Sequence, residues 1–176
     1  MPVRKLGNVK IRNEEGRDYT SIAEVHPRAL GKEEARLVEL LRKRQNVFGL
    51  VAVDDGDRVV GHIMFSPMTV EHAPDDLRAI GLAPMSVSPE FQNQGIGSKL
   101  VRAGLEACKQ AGYEVVFVLG HINYYPRFGF RRAKDFGLTN EYNADDAFMA
   151  IELKPGVLRT IGGLAKYAPQ FSEVGC

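Results

Sequence analysis

Three observations predict an α/β domain built on a mixed sheet. An apolar run from Phe48 to Val53, the turn Asp54-Asp55-Gly56-Asp57 and a second run from Val59 to Thr69 read as an antiparallel hairpin. From Ala79 to Leu119 the order is strand, glycine turn, helix and strand, which makes a right-handed crossover between neighbouring parallel strands. A chain of 176 residues, 44% hydrophobic and 26% charged, has enough interior for one full core.

The remaining elements follow in order. Asn8 to Arg12 alternates enough for a first strand. Glu14-Glu15-Gly16-Arg17-Asp18 precedes a helix containing Tyr19, Ile22, Ala23 and Val25, which Pro27 is expected to interrupt. A second helix carries Ala35, Leu37, Val38, Leu40 and Leu41, with Glu33 and Glu34 in its first turn, where the helix dipole favours them. The polar stretch Glu71 to Arg78, with Pro74, reads as a loop. In the next strand Pro84 cannot donate a ladder hydrogen bond, which predicts an irregularity near Met85. Ile96, Leu100, Val101, Leu105, Cys108 and Ala111 recur at helical steps and Gly112 stands at the C-terminal cap. Val115 to Leu119 is a strand, followed by a short Tyr-rich element, Phe128-Gly129-Phe130, a polar excursion from Lys134 to Asp146 and a closing strand from Phe148 to Leu153 that Pro155 ends. Residues 156–176 lack strong periodicity, and a homodimer contact or a lid would be sought there.

Composition excludes several classes. Lys plus Arg (23) nearly cancels Asp plus Glu (22), so no global basic field points to nucleic acid. Arg42-Lys43-Arg44 and Arg131-Arg132 read as solvated faces. Cys108, on the apolar face of the long helix, and Cys176 have neither metal-ligand nor CxxC spacing, so no metal is expected. Neither a signal sequence nor an apolar run of about 18 residues is present, and a reducing cytoplasm is the expected compartment, with no membrane partner. His62 shares a strand face with Met64 and Ser66 and reads as structural.

The turn at Gln92-Asn93-Gln94-Gly95-Ile96-Gly97-Ser98 narrows function most. The first amides of the helix behind it lack intrahelical partners and the dipole adds partial positive charge there, so the backbone can cradle an anion. A P-loop would need Gly-Lys-Ser/Thr at a fixed offset, whereas Ser98 precedes Lys99. A dinucleotide fingerprint would need a third glycine at position 100, which is Leu100, and an acidic residue after the next strand, which instead runs into Gly120-His121. A tight structural turn with no ligand is the alternative to both.

A third phosphate turn, Gln/Arg-x-x-Gly-x-Gly/Ala, fits at every fixed position. Together with the hairpin, the irregular strand and Tyr125-Pro126-Arg127-Phe128-Gly129-Phe130, it makes residues 9–154 resemble the GCN5-related N-acetyltransferases (GNAT family). Gly120-His121 followed by Tyr124-Tyr125 is similar to the bacterial YhbS-like branch in particular. The resemblance implies a mixed, mostly antiparallel central sheet flanked by helices, with splayed neighbouring parallel strands, over a domain at 9–154 and a C-terminal extension at 155–176.

It also implies acetyl-CoA as co-substrate. The pyrophosphate would lie on the amides from Gln92 to Ser98, the pantetheine arm would add to Met85, Ser86 and Val87 like an extra strand, and Asn123 would contact it. A backbone N–H near Met85 would polarise the thioester carbonyl. Tyr125, four residues before Gly129, stands at the position of the family's general acid, with Tyr124 as the close alternative. For the base the candidates are His121, Glu71, His72, Asp75, Asp76 or a water relay. The expected reaction is direct transfer of acetyl to a primary amine on a small molecule or peptide. Glu33, Glu34, Asp75, Asp76, Asp145 and Asp146 would suit a cationic acceptor. The alternative is a non-catalytic acyl-CoA-binding sensor that keeps the turn and uses the tyrosines for packing.

Overall fold

Residues 7–175 are described by the computed structural model; Cys176 lies outside them. The chain divides into two units, one holding the described residues up to Phe65 with Pro84–Gly104 and the segment from Pro169, the other Ser66–Ala83 and Leu105–Ala168.

In the first unit β1 (Lys10–Asn13) leads through a 3-10 turn into α1 (Tyr19–Ala29) and α2 (Lys32–Leu41). Pro27 lies inside α1 and does not interrupt it. It falls in the last turn, where only its own missing donor is lost and Leu30 N–H still reaches the His26 carbonyl at 2.8 Å. Ile22, Val25 and His26 of α1 and Leu37, Val38 and Leu41 of α2 are buried, as three- and four-residue steps require. β2 (Phe48–Val53) pairs antiparallel with β1 and with β3 (Val59–Val70), with a register shift between Ala52 and Val53. The hairpin turn is held by Asp54, whose carboxylate accepts the Gly56 and Arg58 amides at 3.0 Å each.

β4 (Ala79–Val87) begins in the second unit and ends in the first, and α3 (Ile96–Gln110) crosses back. Tyr113 N–H bonds the Cys108 carbonyl at 3.0 Å and Gly112 N–H that of Lys109 at 3.0 Å, the closure expected of a Gly112 cap.

The second unit holds β5 (Val115–Leu119), β6 (Arg131–Arg132), β7 (Leu138–Asn140), β8 (Phe148–Glu152) and β9 (Gly163–Lys166). β5 runs parallel to β4, from Ala79 opposite Val115 to Gly81 opposite Phe117, where their ladder ends. β8 pairs antiparallel with β5 and with β6. β9 pairs parallel with β7 and antiparallel with the end of β3. β7 and β9 fall in the polar excursion and the aperiodic tail, where no strand is expected: three or four residues are too few to show alternation, and β9 opens on a glycine. The short α4 (Gln170–Glu173) buries Phe171 in the first unit. The sheet is thus mixed and mostly antiparallel, the α/β class expected.

Candidate active site

The turn between β4 and α3 is pinned at both ends and open between them. Phe91 and Ile96 are each 2% exposed, whereas Gln92, Asn93 and Gly95 face solvent. Asn93 (φ 61°) and Gly95 (φ 81°) take left-handed conformations, which asparagine and glycine adopt most readily. A Cβ on Gly95 would meet no atom within 4 Å, so the space above the turn is clear. Lys99 N–H reaches the Gly95 carbonyl at 3.1 Å, an i to i−4 bond that ties the start of α3 to the turn. Gln92 braces the turn, its side-chain amide donating to the Val87 carbonyl at 3.0 Å. Glu90, the one carboxylate in the preceding segment, is paired with Arg28 at 2.8 Å. A solvent-facing turn, a helix N-terminus and a neutralised carboxylate fit a pyrophosphate.

On β4, Met85 and Val87 are half-buried and Ser86 is buried. The Ser86 hydroxyl lies 2.6 Å from His26 Nδ1, His26 Nε2 lies 2.8 Å from His62 Nδ1, and His62 Nε2 lies 2.7 Å from Glu14 Oε2. Arg42 closes the line with two contacts of 3.1 Å to the Glu14 carboxylate. Burial pushes His26 down to about 3, with the neighbouring His62 adding to it, and burial also lowers His62 against the opposing pull of Glu14. Burial alone would raise Glu14, but hydrogen bonds from His62 and Arg42 outweigh it and hold the carboxyl at about 2. His62 therefore has a polar partner on each ring nitrogen. A histidine on an apolar strand face needs such partners, and the sequence does not identify them.

In the second unit the segment after β5 turns sharply on the His121 carbonyl, which accepts Tyr124 N–H at 3.0 Å and Tyr125 N–H at 3.4 Å. Tyr125 opens a 3-10 helix that ends at Gly129, left-handed at φ 100°. The Tyr125 ring stands edge-on to Tyr124 (5.1 Å) and Phe130 (5.6 Å). It also fills the place of a side chain at Gly120, where a Cβ would lie 2.5 Å from the ring. Burial, then Tyr124, raises the Tyr125 phenol above its ordinary range, so it stays protonated. Tyr124 is half-buried beneath Arg127, and His121 and Asn123 are exposed. Of the other candidates, Glu71 accepts the Leu164 amide at 3.4 Å, Asp145 accepts the Asn140 amide and side chain, and Asp146 pairs with Lys134. His72, Asp75 and Asp76 face solvent. Burial pushes the Cys108 thiol up to about 12, which removes it as a nucleophile near neutral pH. No group of metal-ligating side chains occurs among the described residues, and no helix among them is long and apolar enough to cross a membrane.

These features accord with known proteins. The model of the Acetyltransferase (GNAT) family matches residues 9–130. The uncharacterized N-acetyltransferase YhbS of Escherichia coli K12 is 36% identical over 142 residues, 80% of this chain and 84% of the relative. The crystal structure of E. coli YhbS with CoA superposes with a TM-score of 0.88 at 34% identity, covering 93% of this chain and 92% of that one. A GNAT acetyltransferase from Brucella melitensis, solved with acetyl-CoA, superposes at 0.75 with 32% identity, covering 93% and 98%. The chain therefore belongs to the GNAT acetyltransferase family and is an acyltransferase.

Proposed function

We propose that the chain moves acetyl from acetyl-CoA to a primary amine by direct attack in a ternary complex. The observation that carries this reading is the open turn from Gln92 to Ser98, anchored by Phe91 and Ile96 and backed by α3. The presence of CoA and acetyl-CoA in the structures of E. coli YhbS and the B. melitensis enzyme supports it.

The roles follow from chemistry. Amides from Gln92 to Ser98 hold the pyrophosphate, with the α3 dipole behind them. The backbone of Met85, Ser86 and Val87 takes the amide-rich pantetheine arm as an added strand, Asn123 adds a contact, and the Met85 N–H faces the charge that develops on the thioester oxygen. When bound, acetyl-CoA supplies the acyl group. Tyr125 holds the proton that the departing thiolate requires; a phenol that burial keeps protonated suits an acid. Tyr124 is the second choice and His121, at the end of β5, a candidate base.

Release of CoA against a panel of spermidine, a lysine-bearing peptide, an aminoglycoside and a peptide with a free N-terminus tests the reading. Turnover with at least one amine is expected. Calorimetric binding of acetyl-CoA with no turnover on any amine would instead support the acyl-CoA sensor.

A further inference from the structure

We propose that Ser86, His26, His62 and Glu14 form a proton relay, in which Ser86 takes the acceptor amine's proton on the acyl-donor strand and Glu14 delivers one to solvent. The assignment rests on the acyl-transfer reading, which sets the acyl donor along Met85 to Val87.

Hydrogen-bond chemistry gives the line a direction. An ionised Glu14 can only accept, so His62 carries its proton on Nε2. A neutral His62 then presents a lone pair at Nδ1, which requires a proton on His26 Nε2. His26 Nδ1 is left as acceptor, and the Ser86 hydroxyl donates to it. All three links are 2.6–2.8 Å.

Exposure gives the line its ends. His26 and His62 are 0% exposed and Ser86 4%, while the side chains of Glu14 and Arg42 are 11% and 18% exposed. The water-facing end is thus Glu14, and the other end lies on β4. If these groups served only to fasten α1 to the sheet, apolar side chains would do so without the cost of desolvating four polar groups.

The proton balance closes. Before attack, one proton of the acceptor ammonium passes to Ser86 Oγ while the serine's own proton moves to His26 Nδ1. The His26 Nε2 proton moves to His62 Nδ1 and that on His62 Nε2 to Glu14, which releases it to water. Both imidazoles change tautomer and stay neutral. The neutral amine then bonds the acetyl carbon as the C–S bond breaks, Tyr125 protonates the leaving thiolate, and the nitrogen's second proton restores the Tyr125 hydroxyl. After product release the reverse shift, from water at Glu14 to water at Ser86, returns the line to its first tautomers. Ser86 is the catalytic member; His26, His62 and Glu14 act through it. The other charged groups set around the line are Arg42 and, farther out, Asp18.

The test is the pH dependence of kcat in Ser86→Ala and Glu14→Gln, each checked for folding by its unfolding midpoint and for acetyl-CoA affinity by calorimetry. Without the relay only amine already neutral in solution reacts. Both variants should therefore lose about a hundredfold at neutral pH, and the loss should shrink as pH rises toward the amine's pKa, with acetyl-CoA affinity unchanged. Full activity in both variants, or a defect equal at every pH, overturns the relay and leaves acyl transfer standing. Acetylated Ser86 in the presence of acetyl-CoA alone also overturns it, because the serine would then be a nucleophile. If the wild type turns over no amine, the acyl-transfer reading fails and the relay with it.

Discussion

Tyr125 is placed by its neighbours more than by its own helix. Gly120 leaves the room that its ring occupies, and Phe130 and Tyr124 fix its edges. Deleting only the hydroxyl should preserve this packing and remove the proton. Tyr125→Phe is expected to lower kcat about a hundredfold while acetyl-CoA affinity by calorimetry stays unchanged; an undiminished kcat would transfer the acid role to Tyr124. Its spacing from Gly129 is what singled Tyr125 out in the sequence as the candidate acid. The Ser86, His26, His62 and Glu14 line was not legible, because its members come from three separate elements and the loop after β1 and become neighbours only when α1 lies over β3 and β4. Gly49 shows the same limit: it is silent in sequence, yet a Cβ there would stand 2.7 Å from both Glu14 Oε2 and His62 Nε2.

At the scale of elements, the β4–α3 turn separates local strain from ligand contact. Gly95 is left-handed but uncrowded, so Gly95→Ala should cost about 1–2 kcal/mol of stability through backbone conformation alone. Its methyl would enter the space assigned to the pyrophosphate, and the acetyl-CoA Kd by calorimetry should rise about tenfold or more; an unchanged Kd would remove the turn from the cofactor site. The strand, turn and helix here were readable because glycine spacing and helical periodicity are local signals. Pro27 in α1 misled for a physical reason, since proline is tolerated in a last turn that still closes through the His26 carbonyl. β7 and β9 escaped because each is defined by its partner across the chain and carries too few residues for a pattern of its own.

For the whole molecule, the buried histidines and their carboxylate make stability depend on pH in a defined direction. His26 binds a proton at about 3 when folded and near 6.5 when unfolded, so the unfolded state takes up more protons between those values. Stability should therefore decline as pH falls from about 6.5 toward 3. Glu14, held at about 2, and Asp18, held down chiefly by Arg12, contribute stability above their ordinary carboxylate values that is lost at still lower pH. Urea midpoints measured across this range should be flat above about pH 7 and fall below it; a midpoint unchanged down to pH 4 would mean that His26 is not held neutral. The mixed sheet itself was legible from the hairpin and the crossover, whereas the acceptor's identity leaves no comparable local pattern: Asp145 and Asp146, acidic residues suited to a cation, turn out to hold loops together.

Direct transfer from acetyl-CoA to an amine is the claim on which the assigned roles depend. Initial rates of CoA release with both substrates varied test it most directly. Double-reciprocal lines that intersect are predicted, as a ternary complex requires; parallel lines, which signal an acyl-enzyme, or acetyl-CoA binding without release of CoA to any amine, would contradict it.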